Sequence, residues 1–268
     1  MQGPYPIFCR GHSGGRILCE AFIHNGIDMG KVAPDRKDTE FFSIHNPLVY
    51  ELTLNAYHYI TATLEQKKYF QQLMQQCLDE YIAQEIKTQP FGWKMGMSLF
   101  MLPMVLDTCP QAKVIHLIRD GRDVMLSRLE ARFGGNNLAN PLNQLLVFGH
   151  TPVTHFAGQP LTSETIAAYR NELEILHWVT AVNYGLQGRQ HPKRYLEVKY
   201  EMLCQDPITT CEMIFDFLQQ PFLTTTKTWL KQAVHGVRIG KWRNLPADQL
   251  EKPLSIAGEL LKKLNYPV

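Results

Sequence analysis

Short apolar runs alternate with stretches of helical periodicity along this chain. Pro6–Cys9 is a brief apolar run and predicts a strand. Arg16–Asn25 sets Ile17, Leu18, Ala21 and Phe22 on one helical face, with Gly26 as its stop. Thr61–Ile86 predicts a long helix, Phe91–Met95 a strand, and Ser98–Thr108 an apolar helix closed by Pro110. Lys113–Arg119, KVIHLIR, is the clearest strand, because a nearly continuous apolar run suits a parallel strand buried on both faces. Asp120 is a natural N-cap for a helix over Gly121–Phe133. A Thr/Ser–Glu signal opens a long helix over Thr162–Leu186, and Tyr195–Tyr200 predicts another strand. Helices follow at Ile208–Gln219, Thr225–Ala233 and Ala247–Leu264.

Strands separated by helices imply βαβ units, so the expected class is α/β with a mostly parallel central sheet flanked by helices. Two segments break the pattern. Asp28–Asn46 is polar, carries Asp35, Asp38, Glu40 and His45, and predicts a loop or lid. Gly134–Pro160 is rich in Gly, Asn and Pro and predicts an irregular excursion. No linker composition separates the elements, so 1–268 is expected to form a single domain, with 28–46 and 134–160 shaping a substrate pocket.

Composition narrows the function classes. The 268 residues are 45% hydrophobic and 19% charged, an ordinary globular balance with ample core. A net charge of +2 with scattered basic residues gives no nucleic-acid footprint. No apolar run is long enough to span a membrane, and the first strand leaves no room for a signal peptide. The 6 cysteines form no CxxC pair and are expected as reduced core thiols. Together these features predict a cytoplasmic location. The 10 histidines show no HxH or HExxH spacing, so no catalytic metal is expected.

Two strand ends look built for anions. The first is the elbow RGHSGGR, Arg10, Gly11, His12, Ser13, Gly14, Gly15 and Arg16. Glycines let backbone amides turn inward, the next helix presents its positive end, and His12 and Arg16 can add charge-assisted hydrogen bonds. The second is VIHLIRDGRDVMLSR, where Arg119 ends the strand and Ser127 lies in the next helix. Two separated anion sites ask for a ligand with two separated anionic groups. The chain has no Gly-Lys-Ser/Thr for the phosphate cradle and magnesium site of ATP.

These segments resemble the sulfotransferase family, which uses 3′-phosphoadenosine 5′-phosphosulfate. RGHSGGRIL is similar to its 5′-phosphosulfate loop. VIHLIRDGRDVMLSRL is similar to its 3′-phosphate motif, with Arg119 and Ser127 at the phosphate-contacting positions. LEVKYEMLCQDP resembles its strand-turn segment, which places Tyr200 near the nucleotide. VRIGKWRNLP resembles its nucleotide-closing loop and implies Arg238, Gly240, Lys241 and Trp242 near the 3′-phosphate. The resemblance spans about Pro6 to Pro246. It implies the P-loop-nucleotide-hydrolase-like architecture of that family. His12 stands where the family usually has Lys or Arg, and Gly15 or Arg16 where it has Ser or Thr. Cytosolic members carry Lys-Thr-His after the strand; here the run is Lys94-Met95-Gly96, without that histidine.

The resemblance implies in-line transfer of a sulfuryl group to a hydroxyl or amine, with release of 3′-phosphoadenosine 5′-phosphate. Positive charge is then needed on the leaving side, and Lys94, His12 and the elbow amides are the candidates. A general base is needed for the acceptor: Asp38 first, Glu40 second, with His45 and His116 as further options. His116 sits inside an apolar strand and reads better as a core histidine. The acceptor is expected to be a small-molecule, glycan or lipid hydroxyl. The competing readings are a P-loop-type phosphotransferase and a nucleotide-binding relative without catalysis.

Overall fold

In the computed structural model of the chain, β1 (Ile7–Cys9), β2 (Lys94–Met95) and β3 (Val114–Ile118) run parallel. A two-stranded hairpin, β4 (His155–Phe156) and β5 (Gln159–Pro160), stands apart from them. With β6 (Tyr195–Lys199) the main sheet is completed in the order β2-β1-β3-β6. The structure describes residues 2–43, 45–95, 98–133, 155–160, 162–234 and 239–268. Gly96, Arg238 and residues 134–154 of the expected excursion lie outside them.

Contacts group the chain into two units, 1–118 with 184–237, and 119–183 with 238–268. The first holds the whole parallel sheet. All five residues of β3 are buried, as a strand covered on both faces requires. Ile7 is in register with Lys94 on one side and Ile115 on the other, so β1 carries the elbow from the sheet's interior. The helix α1 (Gly15–His24) follows at once and buries Leu18, Cys19, Ala21 and Phe22. Its Phe22 packs 5.7 Å from Phe215 of the helix Pro207–Leu218.

The polar segment after α1 is not a detached lid. Asp28 bridges to Phe91, and its carboxylate accepts from the backbone N–H of Gly30, Lys87 and Thr88. Phe41 and Phe42 are buried, and Phe42 lies 4.9 Å from both Trp93 and Tyr81. Two buried phenylalanines contribute roughly 1.5–3 kcal/mol each, enough to hold a short segment down.

The sequence pattern also missed two helices. α2 (Pro47–Ala56) starts where Asn46 accepts from the Leu48 N–H and Pro47 fills the first turn. Tyr200, read as the end of a strand, instead opens the helix Tyr200–Gln205. α3 (Leu64–Glu85) is shorter than expected because Thr63 and Gln66 form a capping box. The expected helix over 98–108 divides into a 3-10 turn, Ser98–Met101, and α4 (Leu102–Thr108). All six cysteines are buried thiols.

In the second unit α5 (Gly121–Phe133) is capped by Asp120, whose carboxylate accepts from the Arg122 N–H at 2.9 Å. The expected long helix divides at Tyr169 into Ser163–Ala168 and Arg170–Gly185. Trp178 of the latter donates its indole N–H to the Arg119 carbonyl at 3.1 Å. Its ring also covers Gly121 so closely that a Cβ there would lie 2.5 Å from it. The helix Ala247–Lys263 closes the unit. No described helix is long and apolar enough to cross a membrane.

Candidate active site

The elbow between β1 and α1 has the geometry of an anion nest. His12 and Gly14 both adopt left-handed backbone, at φ 71° and 85°. Histidine tolerates that region better than most residues, and glycine without cost. Alternating handedness turns successive N–H groups to one side. α1 receives no side-chain cap from Gly14 and has no acidic residue in its first turn. Its positive end is therefore left for a ligand. Ser13 is buried, and its hydroxyl has no hydrogen-bond partner among the described residues. A buried orphan hydroxyl beside uncapped amides is what an incoming anion would satisfy.

The elbow glycines were expected to let the backbone amides turn inward, and two of them are also needed for space. A Cβ on Gly14 would fall 2.2 Å from the Tyr200 ring. A Cβ on Gly15 would fall 2.6 Å from Cys9 Sγ and 2.9 Å from Lys94 Cε. Tyr200 and Lys94 are thus both packed against the elbow. Gly11 is half-buried, Arg10 is buried, and His12 and Arg16 are exposed. Arg16 donates to the Asp35 carbonyl at 3.3 Å.

Lys94 is 6% exposed, and its ammonium lies 2.8 Å from Asp38 Oδ1 and 2.9 Å from the Arg36 carbonyl. The sequence singled out lysine and aspartate for separate reasons; the fold makes them a pair. Thr39 explains how. Its N–H donates to the Lys94 carbonyl, and its hydroxyl accepts from the Lys94 N–H. Asp38 is thereby laid along the edge of β2. Its carboxylate is 30% exposed, so one side remains open. Glu40 is not brought to this pair: it binds Lys31 at 2.6 Å. Nor is His116, which is fully buried in β3 and shares a 2.6 Å hydrogen bond with the Tyr195 hydroxyl. Burial pushes its imidazole down to about 3, which keeps the ring uncharged at neutral pH and makes it a weak proton acceptor. Burial likewise pushes the Cys9 thiol beneath the elbow up to about 11.

Arg119 and Ser127 of the second expected anion site both lie in the second unit. Arg119 is buried and sits 3.8 Å from Asp123. Ser127 is half-buried one turn further along α5. Asp123 accepts from the Gly240 N–H at 2.7 Å and the Trp242 N–H at 3.2 Å. Gly240, at φ 75°, and the 3-10 turn Lys241–Asn244 are therefore tied to the same helix as Arg119 and Ser127. Trp242 lies over the Arg122 guanidinium at 3.5 Å, so its ring serves as packing for α5. Lys241 is exposed on this turn. Asp123 was not foreseen as a site residue. Among the described residues no group of three or more His, Cys, Asp or Glu side chains is gathered as a metal site.

Comparison with known proteins points one way. Residues 12–224 match the profile described as the sulfotransferase family. Carbohydrate sulfotransferase 4 of Mus musculus is 23% identical, over 62% of this chain and 45% of that protein. The chain thus spans about half the length of this curated relative. The sulfotransferase domain of the Synechococcus PCC 7002 olefin synthase superposes with a TM-score of 0.57 at 18% identity, covering 100% of this chain and 97% of that one. Mouse sulfotransferase SULT7A1, solved with PAP, superposes with a TM-score of 0.56 at 12% identity, covering 99% of this chain and 86% of that one.

Proposed function

Because this chain belongs to the sulfotransferase family, we propose that it moves a sulfuryl group from 3′-phosphoadenosine 5′-phosphosulfate to a hydroxyl or amine acceptor. The observation that supports this most is the Lys94 ammonium, buried against the elbow and opposed by Asp38. In-line transfer forms a bond from acceptor oxygen to sulfur and breaks the bond from sulfur to the 5′-phosphate oxygen. Negative charge grows on that departing phosphate. The elbow amides, the Ser13 hydroxyl, His12 and Lys94 supply donors for it. Asp38 takes the acceptor's proton. Gly11, Gly14, Gly15 and Tyr200 shape the elbow; Arg10 and Arg16 add charge to it. Arg119, Ser127, Lys241 and the Gly240 backbone take the 3′-phosphate, with Trp242 as their scaffold. The same role is assigned to Arg238. The chain works as one sulfotransferase domain.

The acceptor is a small-molecule, glycan or lipid hydroxyl, and a nucleic acid is not a partner. Six buried thiols suit a reducing compartment such as the cytoplasm.

Thermal unfolding with 3′-phosphoadenosine 5′-phosphate, magnesium ATP and AMP tests the donor class. The first should stabilise most, by ~2.7 kcal/mol at a hundred times its Kd. Preferential stabilisation by magnesium ATP would overturn the reading and revive a phosphotransferase.

A further inference from the structure

On this nucleotide reading, we infer that Asp123 is the positioning residue of the 3′-phosphate site: one buried carboxylate that orients Arg119 and at the same time fastens the 240–242 turn. Two arginine–aspartate pairs occupy the start of α5, and they are built differently. Arg122 is fully committed. It grips Asp120 with Nε at 3.0 Å and Nη2 at 2.7 Å, donates to the Pro267 carbonyl at 2.6 Å, and stacks on Trp242. Asp120 in turn caps the helix. That pair belongs to the scaffold.

Asp123 and Arg119 stand 3.8 Å apart, a distance that gives Coulomb attraction without a hydrogen bond. The carboxylate is 1% exposed and must be compensated, since a buried charge without partners is costly. It draws its hydrogen bonds from the turn: Oδ2 from Gly240 and Oδ1 from Trp242. Each oxygen is used by one backbone N–H, and the Arg119 guanidinium lies alongside, 3.8 Å from Oδ2. Asp123 therefore acts on Arg119 through charge.

The same carboxylate sets where the turn lies, and Lys241 sits between the two residues whose amides it holds. Loss of its charge therefore acts on two phosphate-facing cations together. Asparagine at this position keeps the size but offers one acceptor oxygen for two N–H donors, and turns an amide donor toward them.

The experiment is calorimetric binding of 3′-phosphoadenosine 5′-phosphate and of AMP to the wild-type chain, Asp123→Asn, Arg119→Ala and the double variant. Asp123→Asn should raise the Kd of the 3′-phosphorylated nucleotide by about ten-fold or more while AMP stays within about two-fold. The double variant should be less impaired than the product of the two single losses. Equal losses for both nucleotides would show a merely structural tether and overturn the inference, as would fully multiplicative losses. If Asp123→Asn does not fold, amide hydrogen exchange of the wild-type chain decides. Gly240 and Trp242 should exchange more slowly with the 3′-phosphorylated nucleotide than with AMP, and identical exchange would overturn the inference. A wild-type chain with no preference for the 3′-phosphate removes the nucleotide reading itself; a preference that survives Asp123→Asn removes only the role of Asp123.

Discussion

Lys94 and Asp38, 2.8 Å apart, form a buried ammonium opposed by a carboxylate that keeps one face open. This asymmetry gives the two residues different assays. Lys94→Met should lower kcat by about 10²-fold or more and leave nucleotide affinity within a few fold, the signature of charge needed mainly as the phosphate departs. A loss confined to KM would remove Lys94 from the chemical step.

Asp38→Asn leaves Lys94 its bond to the Arg36 carbonyl, so the fold should hold. Turnover should fall by about 10²-fold with an alkyl alcohol, in the range of a lost general base. The loss should shrink with acceptors of lower pKa, which need less help in shedding a proton. The same loss along a series of substituted phenols would sink the assignment.

Gly14→Ala meets two obstacles, a left-handed φ of 85° and the Tyr200 ring 2.2 Å from the new methyl. Backbone in this region costs roughly 1–3 kcal/mol for a residue with a Cβ. The variant should unfold at lower temperature and lose nucleotide binding. Adding Tyr200→Ala should recover only the steric part, so stability of the double variant against denaturant measures the remaining backbone cost.

Arg119→Ala should weaken 3′-phosphoadenosine 5′-phosphate by ~1.5–3 kcal/mol, the worth of a charged hydrogen bond, and leave ATP nearly unchanged. Titration with both nucleotides checks this, and equal small losses would count against the 3′-phosphate site.

His116 gives a pH prediction. Its folded imidazole is pushed down to about 3 from an ordinary 6.5, so the unfolded chain binds the proton more readily. The stability held by the neutral ring is complete above pH 6.5 and declines as pH falls toward 3, by up to ~1.4 kcal/mol per unit. His116→Gln should flatten the acid limb of a denaturation profile. An unchanged slope would place the acid sensitivity elsewhere.

Much of the sheet was legible because β3 is nearly all apolar and the elbow follows β1 without interruption. The elbow was singled out at a strand end, while Lys94 and Asp38, the latter in a polar loop, were singled out on the family resemblance. The pairing of Lys94 with Asp38 was not legible, because it depends on Thr39 bonding sideways to β2. α2 was missed because Asn46-Pro47, its actual cap, reads equally well as the end of a polar loop. Asp123 was hidden for a different reason. Its partners stand 117 and 119 residues further along, and beside Arg119 it looks like an ordinary helix-surface ion pair.

Gly15 leaves no space for a methyl between Cys9 and the stem of Lys94. The position therefore acts as a gauge set to a single carbon. Alanine there would shift the lysine stem rather than erase its charge, which separates holding the donor from spending it. Such a chain would serve as a trap for the unreacted complex.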